Sequence, residues 1–173
     1  MPRSFDMAAE YGGTVEQVHR AFADEQYWLV RLGDSGADHA TLDEMDVGDD
    51  GAIRVRTTQT MRADRLPAVV TQFHRGDLNF VREESWSPVA NRRATATVRG
   101  SIPGAPAQLT GEAVLSSVAD AQGAMGARMT FTATVEVRVP LVGGKIENFI
   151  GSQLVNLMIA EQKFTTVWIT ENG

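Results

Sequence analysis

The sequence predicts an α+β fold in which a seven-stranded, curved antiparallel sheet wraps one long C-terminal helix, with two short helices after the first strand. Three observations carry this. Seven segments alternate apolar and polar residues and are set apart by Gly, Pro, Asp and Asn clusters. Two short stretches behind the first segment carry helix-start signals. Residues 145–169 repeat apolar side chains at three- and four-residue spacing, a helix of roughly 38 Å. Such a helix must bury its stripe, and the sheet is the only surface on offer. Seven strands curl with their natural twist, so the helix lies in a groove. A curved sheet gripping a helix leaves space inside, the physical basis for a ligand cavity.

In chain order, Phe5, Met7, Ala9 and Tyr11 alternate with Asp6, Ala8 and Glu10 as a strand that Gly12-Gly13 ends. Thr14 with Gln17 three residues on is a capping-box pattern, and Val15, Val18 and Phe22 follow at helical spacing. Asp24 is a second N-cap, before Tyr27, Trp28 and Leu32. Strands follow at 38–47 and 52–61, joined by Gly48-Asp49-Asp50-Gly51, whose residues tolerate positive φ. A short helical turn is expected at 66–73, with Pro67 at its first position. The remaining strands are 79–86, 93–102, 108–118 and 127–139. In the last, Phe131, Ala133, Val135, Val137 and Val139 share one face. Pro140 stops the sheet and Gly143-Gly144 turns the chain into the long helix, whose stripe includes Ile146, Phe149, Ile150, Leu154, Leu157 and Met158.

The length, 173 residues, suits one domain spanning 1–173, able to build its core without metal or disulfide. With no cysteine there is no thiolate chemistry. A net charge of −6, with lysine only at Lys145 and Lys163 and scattered arginines, gives no basic face, so nucleic acid is not an expected partner. No secretory signal opens the chain, and polar residues interrupt the late apolar stretch too often for a membrane span. The expected location is therefore cytoplasmic. The oligomeric state is not readable.

Two short helices after the first strand and a long helix after a Pro-Gly break resemble the helix-grip proteins, the START-like (SRPBCC) superfamily, across the whole chain. Residues 138–147, RVPLVGGKIE, are similar to an actinobacterial subfamily of unknown function within it. The resemblance implies a fold and a cavity but no reaction, since the superfamily includes lipid carriers, hormone receptors, cyclases, oxygenase domains and co-chaperones. The chain has no Rieske cysteines and no glycine-rich phosphate loop.

Glu161 is the sharpest anomaly. It falls inside the apolar stripe, between Leu157, Phe164 and Trp168, where a bare carboxylate is costly. Either it is a polar group at the cavity, or it is paired with a sheet arginine or snorkels to the groove's open end. On strand 79–86, Phe80, Arg82, Glu84 and Trp86 share one face. If that face is inward, Arg82 can pair with Glu161 or fork a ligand carboxylate; if the strand lies at an edge, both charges are solvated, the reading preferred here. Gln59, in line with Ile53, Val55 and Thr57, is a further polar cavity candidate or a satisfied sheet glutamine. Trp28, Trp86 and Trp168, with Phe131, could wall the cavity or simply fill the core. His19, His39 and His74 are scattered without a helical ligand partner, so no metal is expected. The acidic run Asp43, Glu44, Asp46, Asp49, Asp50 lacks EF-hand spacing and reads as a solvated turn. No cofactor motif stands out.

These residues point first to a carrier or sensor for a hydrophobic small molecule such as a lipid, polyketide or isoprenoid. The alternatives are a cyclase- or dehydratase-like enzyme using Glu161 and Arg82, and a module whose groove receives a partner's apolar segment. The cavity is expected to measure a few hundred Å³ under the second half of the helix, lined by some of Trp86, Phe131, Phe164 and Trp168. If Glu161 serves a ligand, Glu161→Leu is expected to stabilise the fold and weaken binding.

Overall fold

The computed structural model describes residues 2–72, 74–119 and 122–172. Strand β1 (Arg3–Tyr11) is followed by helices α1 (Val15–Phe22) and α2 (Glu25–Gly33), then by β2 (His39–Val47) and β3 (Ile53–Met61). A 3-10 turn (Ala63–Arg65) and the short helix α3 (Ala68–Thr71) lead to β4 (Leu78–Trp86), β5 (Arg93–Ser101), β6 (Ala107–Ala119) and β7 (Met125–Val137). Helix α4 (Gly143–Asn172) closes the chain. The seven strands form one antiparallel sheet in the order β1-β7-β6-β5-β4-β3-β2, which is the helix-grip arrangement. Pro67 caps α3 rather than opening it, and Phe73, which the sequence placed in that turn, lies outside the described residues.

Local chemistry explains the turns. The capping box forms: the Thr14 N–H donates to Gln17 Oε1 (2.9 Å), and the Gln17 N–H donates to Thr14 Oγ1 (3.2 Å). Asp24 Oδ1 accepts from the Gln26 N–H at the head of α2. The β2–β3 turn uses Gly51 at φ +94°, and the β4–β5 hairpin closes through Asn91 and Arg92, both at positive φ, as a two-residue turn of the I′ kind. β2 is an edge strand with a bulge between Leu42 and Glu44, and charged Asp43, Glu44 and Asp46 blunt it against edge pairing.

Helix α4 is held at both ends. Near its start, Glu147 is fully buried and its Oε2 accepts the Val137 N–H at 2.9 Å. The next residue, Arg138, donates toward the β6 side, to Pro106 O. The Val137 N–H therefore points toward the β1 side, beyond Arg3↔Val135, the last β1–β7 pair. Glu147 thus supplies the acceptor that β1 does not. One turn on, Gly151 lets the helix settle on β1: a Cβ there would lie 2.2 Å from the Phe5 ring. At the far end Thr165 and Ile169 are buried. Between them, residues 152–164 include no fully buried residue. The middle of α4 therefore spans the sheet instead of being packed flush onto it.

Candidate functional site

Beneath that middle span lies a cavity of about 60 Å³. Its sheet wall comes from β4 through Phe80, Arg82, Glu84 and Trp86, and from β5–β7 through residues that include Val98, Leu109 and Phe131. Its helix wall is Leu154, Leu157, Met158 and Glu161. The two phenylalanines are seated on glycines of neighbouring strands: a Cβ at Gly100 would meet the Phe80 ring at 2.8 Å, and one at Gly111 the Phe131 ring at 2.6 Å. Side chains at Gly100 and Gly111 would thus displace two rings of the cavity wall.

At one end of the cavity sits a buried charge cluster. Glu161 Oε2 accepts from Arg82 Nη2 at 2.8 Å, and Glu161 Oε1 lies 2.5 Å from Arg31 Nη2. The Arg31 and Arg82 residues are 7% and 9% exposed, and the Glu161 side chain 21%. Burial pushes the Glu161 carboxyl up, but the guanidiniums of Arg31 and then Arg82 outweigh it and hold the group at about 2. In both arginines burial pulls the other way from Glu161, and Glu161 wins, so both are raised and stay charged. The cluster continues as a directed chain. Arg31 Nη1 donates to the Tyr27 hydroxyl (3.0 Å), Tyr27 in turn to Thr165 Oγ1 (2.6 Å), and Thr165 to the Glu161 carbonyl (2.7 Å). The direction is forced, because a guanidinium only donates and a carbonyl only accepts. Burial raises the Tyr27 phenol, which remains protonated.

Several expectations change here. β4 is not an edge strand: it lies between β3 and β5, so its Phe80-Arg82-Glu84-Trp86 face points under α4 and Arg82 is buried instead of solvated. The cavity is far smaller than a few hundred Å³, because Leu154, Leu157 and Met158 reach down into the groove. Phe80, Arg82, Trp86, Phe131, Leu157 and Glu161 do line it, whereas Trp28, Gln59, Phe164 and Trp168 do not. Phe164 and Trp168 stack on each other and pack against Tyr27, while Trp28 lies between Phe22 and Tyr27 with the Arg31 guanidinium 4.6 Å over its ring. These rings pack around Tyr27 and Arg31 of the charge cluster. Gln59 sits opposite Phe80 on β3, toward the β2 edge, and is half-buried outside the lining.

Sequence reasoning missed Arg31. The signal was present: Arg31 stands four residues after Tyr27 and three after Trp28, on the face of α2 that packs inward. A larger concavity of about 410 Å³ opens at the surface between the start of α2 and β2, lined by residues that include Glu25, Asp43 and Glu44. Asp43 there accepts from the hydroxyls of Thr41 and Thr58. Among the described residues no group of three or more potential ligands could hold a metal ion. No described helix is long and apolar enough to cross a membrane.

A single curved sheet around a two-point-anchored helix, with a small internal space between them, defines a helix-grip protein. Within that class, the chain belongs to the family described as "Protein of unknown function (DUF2505)", whose model matches residues 6–169. An uncharacterised protein of Mycobacterium tuberculosis (strain H37Rv) is 52% identical over 176 residues, covering 99% of each chain. Among solved structures, the TTHA0849 protein of Thermus thermophilus is similar with a TM-score of 0.59 at 15% identity, covering 98% of each chain. The ZhuI aromatase/cyclase of Streptomyces sp. R1128 is similar with a TM-score of 0.58 at 10% identity, covering 98% of this chain and 94% of the other. At such identities the likeness concerns the fold.

Proposed function

We propose that this protein is a carrier or sensor that holds a small, largely apolar molecule between the middle of α4 and strands β4–β7. One observation carries the reading. The helix is pinned at 143–151 and 165–169, yet over 152–164 it buries no residue fully and leaves space above Phe80 and Phe131. Enlarging that space needs only the half-buried Leu154, Leu157 and Met158 to swing outward, and methionine in particular adapts its shape at small cost. The shared fold with an aromatase/cyclase is compatible with small-molecule binding and assigns no reaction.

The enzyme alternative is weaker for a physical reason. A general acid or base works best with a pKa near the operating pH and with a free oxygen to reach substrate. Both Glu161 oxygens are held by guanidiniums, and the carboxyl titrates at about 2. Glu161 therefore serves as the anchor of two cations. The partner-groove alternative is weaker as well, because α4 of the same chain already occupies the groove.

Native mass spectrometry of gently purified protein tests the proposal, together with titration of an environment-sensitive apolar dye. The expected result is a bound small-molecule mass or close to one equivalent of dye, displaced by lipids or polycyclic aromatics. Folded protein that shows neither a bound mass nor saturable dye binding would overturn it.

A further inference from the structure

Charge on α4 is sorted by face. The helix carries Lys145, Glu147, Glu161, Lys163 and Glu171. Two of its three carboxylates turn inward: Glu147 is fully buried, and Glu161 is held by Arg31 and Arg82. Glu171 stands in the last turn, about 80° round the helix from the lysines. Lys145 and Lys163, the chain's two lysines, are both exposed and stand 18 residues apart. That spacing is five full turns, so they lie on one line along the outer face, roughly 27 Å apart. Neither makes an ion pair among the described residues, whereas Arg3, Arg31, Arg82 and Arg138 all do. Cations that look scattered in the sequence thus make a small, unneutralised cationic face on a protein of net charge −6.

The same face is apolar between the lysines. Ile159 and Val167 stand one turn before and one turn after Lys163, and Val155 one turn before Ile159; they are 44%, 53% and 41% exposed. A helix that only gripped its own sheet would be polar here. In the turn leading into α4, Leu141 is fully exposed and sits at φ +72°. The chain bears a strained leucine that packs on nothing of its own.

We propose that the outer face of α4 docks on an anionic lipid bilayer, lying in the headgroup plane with both lysines on lipid phosphates and Leu141, Ile159 and Val167 dipped into the interface. Charge selects this occupant. A second copy would bring two lysines to a face whose exposed side has no carboxylate before Glu171. A protein partner would need anchors seated in pockets, and the outer face of a lone helix is convex, set with aliphatic side chains between Ser152 and Asn156. Isolated aliphatics among lysines suit a fluid, planar, negatively charged surface. The helix lies on the bilayer without crossing it.

The test is flotation of the protein with vesicles of phosphatidylcholine alone, or with about one-third phosphatidylglycerol, at about 50 and 500 mM salt. The wild type is expected to bind the phosphatidylglycerol vesicles at least about tenfold more than the neutral ones at low salt, and to lose most of that binding at high salt. Lys145→Gln with Lys163→Gln should lower binding about tenfold or more. Val155→Ser with Ile159→Ser should lower it at unchanged charge, and Leu141→Gly should lower it without lowering Tm. None of these residues lines the cavity, and circular dichroism checks that each variant folds. Wild-type protein that binds anionic vesicles no better than neutral ones would overturn the proposal. So would binding untouched by either the lysine or the aliphatic pair, or a dimer in sedimentation that Val155→Ser with Ile159→Ser dissolves while vesicles bind nothing. Each of these failures leaves the small-molecule reading standing, because dye uptake by the cavity tests it separately.

Discussion

Replacing Glu161 by leucine removes the one anion that touches both buried guanidiniums. Viewed as a lone carboxylate in an apolar stripe, the site would gain stability from leucine. The structure reverses that sign. Arg31 and Arg82 are each less than a tenth exposed, and after the substitution the carboxylate left to offset them among the described residues is the more distant, half-buried Glu84. Breaking a buried pair by deleting one partner costs about 3–5 kcal/mol. The added apolar surface of leucine returns about 1–2 kcal/mol, and the 21% exposure of the Glu161 side chain softens the loss. A net cost of about 2–3 kcal/mol remains, which for a chain of this size lowers Tm by roughly 4–12 °C. The decisive companion is the triple variant Arg31→Met, Glu161→Leu, Arg82→Met, which removes the whole set of charges. Its stability should return to within about 1 kcal/mol of wild type, or exceed it, as when other buried ion clusters become apolar. Urea unfolding followed by tryptophan fluorescence, with thermal melts by circular dichroism, measures both. A Glu161→Leu protein more stable than wild type, or a triple variant less stable than the single, would refute the reasoning.

The acid limb of stability should carry the same signature. Glu161 titrates near 2 when folded against 4.5 ordinarily, so its pairs contribute fully above about pH 5 and are lost as pH falls toward 2, an effect of up to about 3 kcal/mol; Glu161→Gln should flatten that limb, and parallel acid profiles would refute it. Glu147→Ala should cost about 1–3 kcal/mol by stranding the buried Val137 N–H, while Glu147→Gln, which keeps an acceptor, should cost clearly less in the same melts. Deleting residues 145–173 strips the cover from the sheet's apolar face, so size exclusion and circular dichroism should report an aggregated or unfolded chain; a soluble, cooperatively melting product would contradict the architecture.

The fold was legible because its signals are local. Alternation marks all seven strands, Thr14-Gln17 and Asp24 mark the two short helices, and the run from Ile146 to Trp168 marks the long one. Strand order was less accessible: β4 is interior because it pairs with both β3 and β5, and the alternation within one strand does not say on how many sides it is paired. That misplacement is why Arg82 read as a solvated charge. Arg31 was hidden differently. Its neighbours Tyr27 and Trp28 announce a buried face, but a single arginine on a short amphipathic helix reads as polar surface until its partner Glu161, 130 residues away, is brought beside it. The cavity's size could not be read at all, because it depends on how far Leu154, Leu157 and Met158 reach into the groove.

The charge cluster and the small cavity belong together physically. A helix anchored only by apolar contacts along its whole length would settle onto the sheet and fill the groove. Here, the Glu147–Val137 bond and the close approach at Gly151 fix one end, while Glu161, Thr165 and the rings around Tyr27 fix the other. The hydrogen bonds and ion pairs among these anchors are directional, so they set a distance between helix and sheet as well as an attraction. The stretch from 152 to 160 then bridges two fixed points at a height the anchors dictate, and the space beneath it persists because closing it would break them. On this view Glu161 shapes the cavity by holding the helix in place.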